Sequence, residues 1–129
     1  MAQPIQFHNV STTTCTLDGY PGVAALNAAG VQLAQALRTP SGYMGGEPTG
    51  VTSFAVATLH PGTVAAAILE GTDVPVGSTA STACFVYPAI LVTPPNTTTS
   101  ARLAIQMPSC SRIQVHPVIV GSSGQAPRA

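Results

Sequence analysis

Apolar and polar side chains alternate along several short segments of the chain. Residues 5–8 read Ile-Gln-Phe-His and residues 103–107 read Leu-Ala-Ile-Gln-Met. Similar alternation occurs within residues 15–17, 31–37, 64–68, 84–92 and 113–120. A period of two lets a strand bury one face against a core and leave the other face in water. The pattern predicts short strands that each bury one face.

Turn signals separate these segments. Clusters of Gly, Pro, Asn and Asp occur at residues 18–22, 27–30, 60–62, 94–96 and 121–124. Gly and Pro together account for 24 of the 129 residues, a mixture that disfavours long helices. We therefore expect an all-β fold in which two antiparallel sheets, about seven strands in all, pack face to face as a sandwich.

The segment 23–38 is Ala-rich and could form either a helix or a hairpin. Asn27 and Gly30 interrupt it, and a Gly inside a helix costs about 1 kcal/mol relative to Ala. The segment is therefore predicted to be a hairpin.

Domain organisation is simple. The longest irregular stretch covers residues 39–50, a second covers residues 71–81, and neither divides the chain as a linker would. We expect a single domain over residues 1–123, followed by a flexible C-terminal tail over residues 124–129.

The charge content excludes several classes of partner. Only 6% of residues are charged, against about 25% in typical soluble domains, and there is no Lys. Four scattered Arg side chains argue against nucleic acids and against anionic membrane surfaces. No apolar run is long enough to span a membrane, and residues 1–8 do not form a signal peptide. The composition suits a secreted, wall-bound or assembled protein; a cytoplasmic product remains the alternative.

Three cysteines indicate one disulfide and one odd thiol. Cys84 and Cys110 are the favoured pair, because together they enclose the predicted strands around residues 90–92 and 103–105. Cys15 is then the odd thiol. The alternative is that all three are buried thiols, since free Cys packs as a small apolar side chain.

Several segments, in this order, resemble an actinobacterial family of secreted proteins and lipoproteins called domain of unknown function 4232. They are FHNVSTTTCTLDGYPGV (7–23), NAAG (27–30), VATLHPGTVAAAIL (56–69), the segment at Cys84, ILVTPP (90–95) and Cys110 followed by IQVHPV (113–118). CTLDGYPGV is the most specific block, and the resemblance spans residues 7–120. It implies an immunoglobulin-like antiparallel β-sandwich on the outer side of the membrane, and no assigned activity.

The chain departs from that family at its beginning. Members usually carry a further strand, often with a cysteine, before the segment that matches residues 3–9. The resemblance therefore implies that Cys15 lacks its usual partner and that a sheet edge is bare, unless the sequence is a truncated piece or another segment fills the gap. Residues 1–14 contain no charged side chain to protect that edge. We therefore expect a neighbouring copy, a partner chain or the N-terminus to occupy it, with Cys15 as a candidate intermolecular thiol.

Catalytic and metal-binding motifs are not evident. His8, His60 and His116 share no short motif, there is no C-x-x-C, and Cys15 with His8 is the single nucleophile–base pair close in sequence. The four acids (Asp18, Glu47, Glu70 and Asp73) sit at turns, strand ends and a loop. We therefore expect neither an enzyme nor a metal or other cofactor.

The loop over residues 42–47 is a candidate contact surface, with Tyr43, Met44 and Glu47 as its contact residues. It could equally fold onto its own domain. The leading functional hypothesis is a non-catalytic, extracytoplasmic cell-envelope domain with a binding or structural role. A protein partner or another copy of the chain would complete it. The alternatives are a subunit of a larger surface or virion-like assembly and, ranked last, a hydrolase with a dispersed site.

Overall fold

The computed structural model describes residues 2–40, 46, 56–71, 85–95, 100–109 and 113–124, with the backbone alone described for residues 85, 108 and 109. This part of the chain contains thirteen strands and no helix. The strands are β1 (Ala2–His8), β2 (Cys15–Leu17), β3 (Gly22–Leu26), β4 (Gln32–Gln35), β5 (Leu37–Arg38), β6 (Ala57–Leu59), β7 (Val64–Glu70), β8 (Phe85–Tyr87), β9 (Ala89–Thr93), β10 (Ala101–Leu103), β11 (Met107–Ser109), β12 (Gln114–Val115) and β13 (Ile119–Val120).

Two main sheets organise the described residues. A five-stranded sheet has the order β1-β7-β12-β5, with β13 also paired to β7, and a four-stranded sheet has the order β10-β9-β3-β4. Two smaller pairs, β11-β8 and β2-β6, complete the described pairing. The described pairs are antiparallel except β5 with β12, which run parallel.

The strands are shorter and more numerous than the alternation pattern predicts. Pro88 separates β8 from β9, and Pro117 lies between β12 and β13. Proline has no N–H to donate to a neighbouring strand, so it interrupts a ladder. Each predicted long strand therefore becomes two short ones.

Within the described part of the chain, one hydrophobic core joins the two main sheets. Ile5, Leu69 and Val115 belong to the five-stranded sheet, and Val23 and Ile90 belong to the four-stranded sheet, yet all five side chains lie in one buried cluster. The predicted sandwich is confirmed: the fold is all-β and sandwich-like.

The predicted hairpin over residues 23–38 is also confirmed. Strands β3 and β4 pair antiparallel across a turn in which the Asn27 side-chain oxygen accepts hydrogen bonds from the N–H groups of Ala29 and Val31, both at 2.9 Å. Gly30 follows with a φ of 83°, a conformation that glycine adopts without strain. The two residues that argue against a helix thus build the turn.

One expectation about this hairpin is wrong. The alternation of Val31, Leu33 and Leu37 predicts a buried face, but these side chains are 56%, 56% and 41% exposed. The pairing of β3 with β4 skips Leu33, because its register shifts by one residue there. The small side chains of Ala34 and Ala36 face the core instead.

Candidate functional site

A cleft opens on the surface where the ends of three strand segments meet. Its volume is about 430 Å³, and it is lined by Asp18, Tyr20, Gly22, Gln35, Arg38, Thr93, Pro94 and Pro95. Two of the segments that carry the family resemblance, CTLDGYPGV and ILVTPP, therefore lie side by side at one site. The third segment is the end of the 23–38 hairpin, which contributes Gln35 and Arg38.

The first wall of the cleft is the turn between β2 and β3. Leu17 before the turn and Pro21 within it are buried, so both anchor the turn to the core. Gly19 has a φ of 91°, and its carbonyl accepts a hydrogen bond from the Val118 N–H at 2.9 Å. The backbone of the turn is therefore fixed, and Tyr20 is held at the cleft.

Arg38 is positioned by a strand that passes from one sheet to the other. The Ala36 N–H donates to the Val23 carbonyl at 2.8 Å, in the four-stranded sheet. The Thr39 N–H donates to the Val115 carbonyl at 3.0 Å, in the five-stranded sheet. Arg38 lies between these two attachments, so its backbone is tied to both layers of the sandwich.

The guanidinium group of Arg38 lies over Gly22. A methyl group built on Gly22 would be 3.7 Å from Arg38 Nη2 and 3.6 Å from Thr93 Cβ. Both distances are ordinary contacts, so Gly22, Arg38 and Thr93 pack closely at this end of the cleft. Within the described part of the chain, Arg38 forms no ion pair with a carboxylate.

Tyr20 shares this environment. Burial raises the pKa of the Tyr20 phenol above its ordinary value, and the positive charge of Arg38 lowers that pKa in part. The phenol is therefore neutral near pH 7 and carries its hydrogen.

A buried histidine–glutamate pair supports the strand that carries Arg38. His116 is fully buried, and its Nε2 lies 2.6 Å from Glu70 Oε1. On the other side of the ring, Nδ1 lies 3.0 Å from the Thr39 carbonyl and 3.0 Å from Thr39 Oγ1. The Thr39 hydroxyl donates to Gln114 Oε1 at 3.1 Å. Because Thr39 follows Arg38 directly, this network holds the backbone next to the cleft.

Strand β1 forms an edge of the five-stranded sheet. All seven of its residues pair with β7, and no other described strand pairs with it. Beyond its end, the Asn9 side chain donates to the Leu59 carbonyl at 2.8 Å and to the Thr13 carbonyl at 2.9 Å. Cys15 is exposed and pairs across β2 and β6 with Leu59, so it lies near the end of this edge.

Several predicted residues lie outside the described part of the chain and stay predictions. They are the disulfide pair Cys84 and Cys110, the contact-loop residues Tyr43, Met44 and Glu47, and residues 125–129 of the tail. Cys15 is described, and it is a free thiol.

The histidines serve separate roles rather than one site. His116 is buried beside Glu70, while the exposed His60 has its Nδ1 3.3 Å from the Thr14 hydroxyl. Within the described ranges, no group of three or more His, Cys, Asp or Glu side chains could hold a metal ion. The same ranges include no helix of the length and apolarity needed to cross a membrane.

Sequence reasoning missed the cleft. It treated Arg38 as one of four scattered cations and Asp18 as a turn residue. The available signal was that CTLDGYPGV and ILVTPP both carry the resemblance, which suggested that they serve a common purpose. The two motifs are joined by the pairing of Gly22 with Thr93, a long-range contact that neither motif predicts from its own sequence.

Comparison with known proteins agrees with the resemblance seen in the sequence. The family model described as Domain of unknown function (DUF4232) matches residues 2–119, which is most of the chain. No curated protein and no solved structure matches it.

Proposed function

The chain belongs to the family called domain of unknown function 4232, and from that premise we propose that it is a non-catalytic, extracytoplasmic cell-envelope domain whose cleft binds a small polar ligand. The observation that carries the proposal is the cleft itself. It combines a cation, a phenol, an amide and a hydroxyl, from Arg38, Tyr20, Gln35 and Thr93, with a proline surface. The volume lies within the range of ligand clefts, and convergent polar groups are what orient a ligand in such sites.

The chemistry of the cleft favours binding over catalysis. Among the described residues, its lining contains one carboxylate, Asp18, and neither a histidine nor a cysteine. General acid–base catalysis needs a proton donor and an acceptor with suitable pKa values, and glycoside hydrolysis needs two carboxylates. The lining offers a place to hold a ligand rather than a pair of groups to transform it.

Nuclear magnetic resonance tests this function directly. Isotope-labelled protein is titrated with a fixed set of amino acids, acetylated dipeptides and monosaccharides. The proposal expects saturable shifts of the Tyr20, Gly22 and Thr93 amide signals with at least one compound, which is recovered chemically unchanged. If no compound in the set shifts these signals, or if a bound compound is turned over, the proposal is wrong.

The extracytoplasmic location is a separate part of the proposal. It is supported by the low charge content and by the absence of Lys, since the surface then depends on uncharged polar groups. Fractionation of the producing cells with an antibody against the domain tests it. Recovery in the soluble cytosolic fraction, rather than with envelope or medium, would contradict this location.

Association through strand β1 is the second candidate function. The edge is seven residues long, pairs on one side among the described strands, and lies in a stretch of fourteen residues without charge. Unprotected edges of this kind recruit strands from other chains. A domain completed by another copy would suit a structural subunit of a larger assembly.

Sedimentation equilibrium separates the two candidates. Gln6→Lys and His8→Lys place charge at exposed positions on β1, whereas Gln106→Lys places it at an exposed position elsewhere. The second candidate expects self-association of the parent chain and of the Gln106 variant, and loss of it in the two β1 variants. A parent chain that stays monomeric at its highest soluble concentration contradicts self-association through β1.

A further inference from the structure

We propose that the cleft recognises the carboxylate of an amino acid or of a peptide C-terminus, with Arg38 as its anchor. This inference rests on the proposed function, because it names the chemical class of ligand that the same cleft takes. It begins from a cation that forms no ion pair with a described carboxylate. Arg38 lines the cleft, and none of the carboxylates that the structure describes is paired with it.

A guanidinium group in this setting is suited to one kind of partner. Its five N–H donors form a planar fork that matches the two oxygens of a carboxylate, and such paired hydrogen bonds are stronger than neutral ones. The fork of Arg38 lies over Gly22 within ordinary contact distance, and both ends of its strand segment are bonded to neighbouring strands. The backbone of Arg38 is therefore fixed beside the cleft, and its exposed side chain presents the guanidinium group there.

Other groups in the cleft select among anions. Asp18 lines the same cleft without forming an ion pair with Arg38, so the site contains one negative and one positive side chain. A dianion such as sulfate or phosphate would be repelled by Asp18, whereas a monocarboxylate places less negative charge near it. The ammonium group of an amino acid, or the last amide N–H of a peptide, can be directed towards Asp18. The arrangement thus favours a carboxylate with an N–H group close to it.

The size of the cleft agrees with such a ligand. A volume of about 430 Å³ accommodates an amino acid or the last residues of a peptide. Pro94 and Pro95 supply apolar surface against which a side chain or peptide backbone can pack. A ligand of this class therefore needs no groove wider than the cleft itself.

A matched pair of peptides provides the central test. Acetyl-glycyl-alanine and its C-terminal amide differ in the carboxylate alone, and each is titrated into the labelled protein while the Tyr20, Gly22 and Thr93 signals are followed. We expect saturable shifts with the acid and binding at least about tenfold weaker with the amide. Free alanine, titrated in parallel, distinguishes an amino acid from a peptide terminus as the source of the carboxylate. Sodium sulfate is expected to bind more weakly than either acid.

Variants then assign the anchor. Arg38→Gln is expected to weaken binding of the acid by roughly tenfold or more and to leave the amide unchanged. Arg102→Gln removes an exposed arginine of β10 and is expected to retain full affinity. Arg38→Lys keeps the charge but loses the fork, so an affinity between those of the parent and the Gln variant is expected. The comparison of the peptide acid with the peptide amide uses the parent protein, so it does not depend on whether the variants fold.

The outcomes separate the inference from the proposed function. If the amide or a sugar binds the cleft as tightly as the acid does, or if Arg38→Gln binds the acid normally, the carboxylate assignment is wrong and the binding function stands. Tighter binding of sulfate than of the peptide acid also overturns the carboxylate assignment. If no probe shifts the signals of the cleft residues, both the inference and the proposed function fail.

Discussion

His116 Nε2 lies 2.6 Å from Glu70 Oε1 inside the sandwich, and these two residues are 46 positions apart in the sequence. The opposite ring nitrogen, Nδ1, faces the carbonyl of Thr39, which can only accept a hydrogen bond. The two ring nitrogens thus have polar partners on opposite sides of the ring, the Glu70 carboxylate at Nε2 and the Thr39 carbonyl and hydroxyl at Nδ1. Both nitrogens of the buried ring are thereby satisfied by the protein.

Breaking this pair is expected to destabilise the fold strongly. His116→Leu leaves the Glu70 carboxylate in the interior without the ring that faces it, which costs about 3–5 kcal/mol. Chemical denaturation measures this as a lower midpoint with an unchanged slope. The matched control is His60→Leu, because His60 is exposed, and its effect should stay within about 0.5 kcal/mol. Equal effects of the two substitutions would show that the buried pair adds no stability.

Asn9 is expected to be essential for the loop that follows β1. Its side chain donates to the carbonyls of Leu59 and Thr13 and accepts from the N–H and hydroxyl of Ser11. Asn9→Ala removes the hydrogen bonds to the Leu59 and Thr13 carbonyls, which costs about 1–3 kcal/mol.

The same substitution should also loosen the segment that leads to Cys15. Thiol alkylation of the native protein is therefore expected to be faster at Cys15 in the Asn9 variant than in the parent, as measured by mass spectrometry of the labelled peptide. Ser11→Ala removes one exposed hydroxyl and serves as the control, with a smaller effect on both measurements. Asn9→Ala with parental stability would mean that water replaces the lost hydrogen bonds.

Gly124 is expected to tolerate no side chain. Its φ is 70°, and a methyl group built on it would lie 2.9 Å from Ile68 Cγ1 and 3.1 Å from the Ile68 backbone nitrogen. Gly30 has a similar φ of 83°, but open space surrounds it. Gly30→Ala should cost about 1–2 kcal/mol from backbone strain alone. Gly124→Ala should cost more than that, because Ile68 must also move. Denaturation curves that give the two variants equal stability would contradict this packing argument.

The raised pKa of Tyr20 predicts a loss of stability in alkaline solution. The folded protein keeps the phenol proton to a higher pH than the unfolded chain, whose tyrosine pKa is near 10.0. Stability is therefore retained below that pH and falls as the pH rises through the folded-state pKa of Tyr20. Arg38→Gln removes the charge that lowers this pKa, so the pKa should rise further. Absorbance titration of tyrosinate, with Tyr20→Phe subtracted, measures both effects, and an unchanged pKa in the Arg38 variant would contradict them.

Local patterns explain why the element types could be predicted. The alternation of side chains in β1 and the turn chemistry of Asn27 and Gly30 depend on neighbours within a few residues, and both predictions hold. The exposure of Leu33, in contrast, is not determined by residues near it in the sequence. It arises from a register shift against β3, which the alternating pattern of β4 does not reveal.

The cleft could not be predicted for a related reason. Its lining comes from residues 18–22, 35–38 and 93–95, which meet because β3 pairs with β9 and because the β5 strand pairs with β12. Arg38 becomes significant through its position beside Gly22 in the cleft, and that proximity exists in three dimensions alone. Likewise, the sequence indicates a strand end at Glu70 and an isolated histidine at His116, and the fold brings the two side chains together.

Gly22 provides the last prediction, which links the fold to the cleft. A methyl group at this position would make ordinary contacts with Thr93 and Arg38 at 3.6 and 3.7 Å, and the φ of Gly22 is not in the left-handed region. Gly22→Ala should therefore fold with parental or slightly higher stability, since it restricts the unfolded chain by about 0.4–1 kcal/mol. A larger side chain extends beyond the methyl position into the space occupied by the guanidinium group. Gly22→Leu is expected to displace Arg38, which should weaken binding of acetyl-glycyl-alanine and raise the pKa of Tyr20 together. Parental affinity in the Leu variant, with the Tyr20 pKa unchanged, would show that Gly22 does not make room for Arg38.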